Sequence, residues 1–166
     1  MKPQSGIMPM DLLKCDGYDI VMQEIPDEIT LAINVTECPH HCVGCHSPHL
    51  SLSYGDLVGD VLPQALTQYG SMITCVCFMG GDQHLDDLKR QCRFVNNNYP
   101  NLKLAIYTGA NDMNVLGDVA NYFEYIKLGP YIPELGGLNS MTTNQRLYVR
   151  GSGKWLDITH KFWRNI

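Results

Sequence analysis

Cys38, Cys42 and Cys45 stand at C-x3-C-x2-C spacing, separated by Pro39-His40-His41 and Val43-Gly44. Thiolates are soft metal ligands, and three on one short stretch make metal binding the first chemistry to consider. Three cysteines can each hold one iron of a four-iron cube, a cluster that ordinarily takes four. The fourth iron then keeps an open coordination position where a ligand can bind. Zinc is the competing occupant. His40, His41, His46 and His49 crowd the same loop, and any one of them completes a Cys3His set.

A second stretch, Gly80-Gly81-Asp82, adds a ligand-holding element. Paired glycines let backbone approach a ligand without Cβ interference. Their carbonyls and the Asp82 carboxylate can accept hydrogen bonds from an ammonium group. The plainer reading is a strand-to-helix turn with Asp82 as an N-cap. Position decides between the two. Thr30–Val35 and Met72–Phe78 are short apolar runs that read as buried parallel strands, and each leads into one of these stretches. Parallel α/β sheets place their sites at strand C-terminal ends, and consecutive parallel strands are commonly neighbours. The two loops are therefore expected on one rim. A holder for a ligand on an open iron has no counterpart at a zinc site, so the pair favours iron–sulfur over zinc.

The elements that must carry these loops alternate along the chain. Asp19–Ile25 has strand character, and Pro26-Asp27-Glu28 turns it back into Thr30–Val35, a hairpin at the N-terminal side. Leu57, Val61, Leu62, Ala65, Leu66 and Tyr69 recur at helical spacing, with Ser53 and Asp56 as candidate caps and Gly70 as the stop. Pro63 must lie in the first turns or kink this helix. His84–Tyr99 is a second helix, ended by Pro100. Leu102–Tyr107 reads as a strand, Asn111–Phe123 as a helix interrupted at Gly117, and Tyr125–Leu128 as a short strand. Residues 129–145 form a loop, Arg146–Val149 a last strand, and the tail from Trp155 packs back on the body. The alternation predicts an α/β fold. About four such units are too few for a closed barrel of about 250 residues, so an open partial (βα) barrel of mostly parallel strands is expected.

The 166 residues suit one domain, 1–166. The formal net charge is −5 and Lys and Arg form no block, which argues against nucleic acid as a partner. Neither the start, Met1–Met10, nor any later run is apolar enough for a signal peptide or a membrane span. Seven cysteines, an odd number, are then expected in a reducing cytoplasm, where clustered thiols bind metal more often than they pair.

The cysteine loop after one strand and the glycine–aspartate loop after the next resemble the radical S-adenosylmethionine superfamily. Pro39, Gly44 and His46, then Tyr107-Thr108-Gly109 and Thr143-Asn144-Gln145-Arg146, narrow the resemblance to the activating proteins of anaerobic ribonucleoside-triphosphate reductases, which are glycyl-radical activases. It covers residues 19–150 or so and leaves 151–166 as a C-terminal tail. The resemblance implies that Cys38, Cys42 and Cys45 bind a [4Fe-4S] cluster whose open iron chelates the amino and carboxylate groups of S-adenosyl-L-methionine, with Gly80, Gly81 and Asp82 holding that amino group. It implies reductive cleavage to methionine and a 5′-deoxyadenosyl radical. That radical takes a hydrogen from a glycine Cα of the reductase large subunit. An electron donor such as flavodoxin or ferredoxin is implied too. Two positions depart from the superfamily pattern. Gln83-His84 follow Asp82 where proline is common, and Gly44 precedes the third cysteine where many members are aromatic, as is usual in this branch.

Further ligand contacts are implied at single residues. His46 shields the cluster or is a solvated loop histidine. Tyr107 lines an adenine pocket or merely packs. Lys127 reaches the ligand carboxylate or is an ordinary exposed lysine. Asn144, Gln145 and Arg146 match by family pattern alone, with Arg146 either on the ligand carboxylate or fixing the last strand. Cys75, Cys77 and Cys92 read as core, and Cys15 as an incidental thiol or one with a redox or reductant-docking role. Activation of another glycyl-radical enzyme, a small-molecule substrate, and a structural zinc-binding interaction module are the alternative functions.

Overall fold

The structure is a computed structural model and describes residues 12–164. Its strands are β1 (Lys14–Val21), β2 (Thr30–Val35), β3 (Asp56–Leu57), β4 (Cys75–Met79), β5 (Lys103–Tyr107), β6 (Tyr125–Leu128), β7 (Arg146–Arg150) and β8 (Trp155–Asp157). Its α-helices are α1 (Val58–Tyr69) and α2 (Leu85–Asn98), and short 3-10 segments lie at Pro48–Ser51, Met113–Tyr122 and Thr159–Trp163. Among the described residues the eight strands form one mixed sheet in the order β3-β1-β2-β4-β5-β6-β7-β8.

The α/β class and the N-terminal hairpin agree with the sequence reading, but the expectation of mostly parallel strands is corrected. Only β2-β4, β4-β5 and β5-β6 pair in parallel, whereas the other four neighbouring pairs are antiparallel. Four mutually parallel strands form the centre, and antiparallel pairs close both flanks. An antiparallel pair can be closed by a short turn, as between β7 and β8, whereas β6 reaches β7 through the long loop of residues 129–145.

Strand alternation sorts the sheet into two faces. Leu31, Ile33 and Val35 of β2, Val76 and Phe78 of β4, Leu104 and Ile106 of β5, and Ile126 and Leu128 of β6 pack in one large core with Leu62 and Leu66 of α1 and Leu88, Cys92 and Val95 of α2. The opposite face carries Cys75, Cys77, Ala105, Tyr125 and Leu147, covered by Ile25, Leu138, Ile158 and Phe162. The tail from Trp155 thus packs back on the body, as expected, with Trp155 against the helix-side core and Ile158 and Phe162 on the opposite face.

Several boundaries move. β1 begins at Lys14, not Asp19, and it shifts register between Cys15 and Tyr18. Gly17 at φ +75° sits in that irregularity and obscures the alternation. Neither Ser53 nor Asp56 caps α1. Ser53 Oγ donates to Glu37 Oε1 at 2.5 Å, while Asp56 pairs with Cys15 in β3. The third helix is 3-10 and breaks at Gly117, with φ +54° and ψ −137°. The weakly patterned start expected over residues 1–16 falls mostly outside the described residues, as do the last two residues of the tail.

Candidate functional site

Asn34, Met79, Tyr107 and Lys127 stand in one row across the parallel strands, each paired in register with the next. All four line a cavity of about 490 Å³, a size that suits one small-molecule ligand. The loops that follow β2, β4, β5 and β6 complete it with Cys38, Cys42, Cys45, Gly80, Asp82, Gly109 and Tyr131 among others. The cysteine and glycine loops thus share a rim at the C-terminal ends of neighbouring parallel strands, as the strand order requires.

The cysteine loop is held in an unusual shape. Glu37 and His41 take φ of +61° and +46°, a region that non-glycine residues seldom enter. Glu37 is braced by Ser53, by His84 Nε2 at 3.4 Å and by Lys14 Nζ at 3.5 Å, and these partners hold its carboxyl below the usual carboxylate range. The Cys45 amide donates to the Cys42 carbonyl at 3.2 Å, and the Ser47 amide donates to Cys45 Sγ at 3.4 Å. Gly44 at φ +71° lies under the loop after β6, where a Cβ would meet Pro133 Cγ at 3.0 Å and Tyr131 at 3.4 Å. An aromatic residue has no room there. The His46 ring, itself exposed, rests 5.2 Å from that of Tyr131.

Gly80 and Gly81 take φ of +112° and +117°, accessible to glycine at little cost. Gly80 and Asp82 line the cavity, whereas Gly81 turns toward Leu88 and Leu13 of the core. Gln83 donates from Nε2 to the Thr36 carbonyl at 2.9 Å and so ties this loop to the end of β2. His40 Nε2 lies 3.1 Å from Asp82 Oδ2.

Lys127 is 7% exposed, which corrects the reading of an ordinary exposed lysine. Its Nζ donates to the Gly129 carbonyl at 2.8 Å and more weakly to the Thr108 carbonyl, and it lies 5.6 Å from the Tyr107 ring centre. Burial lowers its pKa to about 8, against the upward pull of Cys42, Cys38 and Cys45. Burial also raises the Cys38 thiol, as does negative charge at Asp82 and at the two other cysteines. A cation near three thiols favours their charged form. Tyr107 lines the cavity and donates its hydroxyl to the Glu24 carbonyl.

Asn144 and Arg146 are not brought to the cavity. Asn144 Nδ2 donates to the Pro130 carbonyl at 3.0 Å, and Arg146 faces Asp157 of β8 at 3.8 Å. Gln145, between them, lines it at 7% exposure. Glu24, Tyr131 and Phe162 are lining residues that the sequence reading passed over. His40 appeared there only as a metal-ligand candidate. The small residue at Gly44 was the available sign that something packs on the loop.

All seven cysteines are free thiols. Around one zinc ion at about 2.3 Å, sulfur ligands approach to about 3.8 Å of one another. Among the described residues no three His, Cys, Asp or Glu side chains are grouped as ligands of one ion. A four-iron cube takes one thiolate on each iron, and Cys38, Cys42 and Cys45 are half-buried free thiols lining one cavity. No family model, curated protein or solved structure matches the chain. Among the described residues no helix is long and apolar enough to cross a membrane.

Proposed function

We propose that this chain is a radical S-adenosylmethionine activase that generates the glycyl radical of an anaerobic ribonucleoside-triphosphate reductase. Its sheet is then the open partial barrel of that superfamily, and Cys38, Cys42 and Cys45 hold a [4Fe-4S] cluster. One observation carries the reading: three free thiols meet Gly80 and Asp82 in a single cavity at the ends of β2 and β4. When bound, the cluster supplies the electron for reductive cleavage of S-adenosyl-L-methionine.

The chain's own residues bind and shield. Asp82 offers an acceptor to the ligand ammonium. Lys127 offers a cation for the ligand carboxylate or for thiolate charge. Met79 and Tyr107 form the floor, and Tyr131 with His46 covers the cysteine loop. The partners are the glycyl-radical domain of the reductase large subunit and an electron donor such as flavodoxin or ferredoxin. A reducing cytoplasm keeps such thiols unpaired.

Anaerobic reconstitution with iron and sulfide is expected to give a brown protein that, once reduced, releases 5′-deoxyadenosine from S-adenosyl-L-methionine. Mixed with a candidate reductase, it is expected to produce a glycyl doublet in electron paramagnetic resonance. Cys42→Ala should lose both iron and cleavage; full cleavage by that variant sinks the ligand assignment. A doublet with a different glycyl-radical enzyme alone changes the substrate. Zinc without sulfide replaces the reading with a structural module.

A further inference from the structure

Three loops of the cavity converge on one side chain that the sequence reading treated only as a metal-ligand candidate. His40 sits inside the cysteine loop. Its Nε2 lies 3.1 Å from Asp82 Oδ2, in the loop after β4. Its ring lies against Gly109, in the loop after β5, where a Cβ would stand 2.6 Å from His40 Cγ and 2.9 Å from Cδ2. That is closer than side-chain carbons can approach, so glycine at 109 is what leaves room for the imidazole.

A carboxylate only accepts hydrogen bonds, so the ring nitrogen facing Asp82 is the donor. The side chains of His40 and Asp82 are 22% and 11% exposed, which strengthens the bond relative to one in open water. With Oδ2 engaged by His40, Asp82 is left with Oδ1, which has no hydrogen-bond partner among the described residues. An aspartate has two side-chain torsions. A bond on one oxygen, with the donor ring clamped against a glycine, fixes where the other oxygen points.

We infer that His40 is a positioning residue: it orients the Asp82 carboxylate so that Oδ1 is presented to the α-ammonium group of the ligand, with Gly109 serving as the seat of its ring. The inference rests on the proposed binding of S-adenosyl-L-methionine at Asp82, and it adds the group that selects for the ligand's amine. Outer partners of this kind commonly cost 10–100-fold when removed, because the group they orient is lost to other rotamers.

The test compares two probes on the reconstituted protein, S-adenosyl-L-methionine and its analogue lacking the α-amino group, each titrated for its dissociation constant at matched iron content. His40→Ala is expected to weaken the natural ligand by about tenfold or more and the deaminated analogue by less than about twofold. His40→Gln, whose amide can donate from a similar place, should recover most of the difference. Gly109→Ala keeps every residue of the cysteine loop yet displaces the His40 ring, and it should reproduce the His40→Ala pattern. In an Asp82→Asn background the His40 effect should vanish.

Equal weakening of both probes would overturn the inference, since His40 would then only hold the loop. No change in either probe does the same, as does loss of iron from all three variants. Failure of the wild-type protein to bind S-adenosyl-L-methionine once iron is loaded is a separate result. It removes the proposed function itself, and this role with it.

Discussion

Nζ of Lys127 donates to the Gly129 carbonyl in a wall nearly closed to water. Its pKa falls from an ordinary 10.5 to about 8, chiefly because burial disfavours the charged form. The sign of the linkage follows. Below about pH 8 both folded and unfolded chains carry the proton, and the fold bears the full cost of the buried charge. Between about 8 and 10.5 the folded lysine has released its proton while the unfolded one keeps it, so stability rises with pH. In the metal-free protein, urea unfolding across this range should show wild type gaining up to roughly 3 kcal/mol relative to Lys127→Met. Parallel profiles for the two proteins would refute it. That this lysine is buried was not legible locally. Tyr125–Leu128 is a four-residue strand, and its second face is covered by residues distant in the chain, Ile25 before it and Leu138, Ile158 and Phe162 after it.

At the scale of elements, exact sequence matches occur where periodicity and burial agree. Thr30–Val35 and Tyr125–Leu128 are strands with the expected bounds because nearly every residue in them is buried. The start of α1 was misjudged because tertiary partners claim Ser53 and Asp56, and no local rule sees Glu37 or Cys15 arriving from elsewhere. The same region supplies a sharp steric test. Gly55 has φ +95°, and a Cβ there would lie 2.1 Å from the Cys15 carbonyl oxygen. Gly55→Ala must therefore push β3 off β1 or distort β1, at a cost of roughly 2–4 kcal/mol. Denaturant unfolding measures it directly, and an unchanged midpoint would contradict the packing described. The shared rim of the cysteine and glycine loops was legible for a physical reason: parallel strands align their ends. The selection of Gln145 over Asn144 and Arg146 was not, because Asn144 and Gln145 lie in the irregular loop before β7, where no periodicity says which side chain turns to the cavity.

The whole molecule is a sheet with one face given to helices and the other to the cavity and, from the tail, Ile158 and Phe162. Its two cores hold the buried thiols separately. Cys15 and Cys92 belong to the helix side, and Cys75 and Cys77 to the other. Burial pushes Cys75 and Cys92 up to about 12 and raises Cys77 well above an ordinary thiol. A thiol reagent applied to the native metal-free protein should modify Cys38, Cys42 and Cys45 quickly and the other four slowly. Replacing both Ile158 and Phe162 by alanine should speed Cys75 and Cys77 by roughly tenfold while Cys15 and Cys92 stay slow. Mass spectrometry of labelled peptides reads this out, and acceleration of all four together would mean that the tail holds up the entire fold. The alternation of elements announced an α/β sheet, but the antiparallel flanks depend on which edge each later strand joins, a choice made by long-range pairing. The row from Asn34 to Lys127 also has a consequence in time. Synthesis is vectorial, and at ~5–20 residues per second the three thiols leave the ribosome about 4–16 s before Lys127 follows. Through that interval they are bare nucleophiles on an unfinished chain, without the walls that later enclose them. On the proposed function, cluster delivery then belongs after release from the ribosome, and a cell making this protein in air exposes these thiols before their cavity exists.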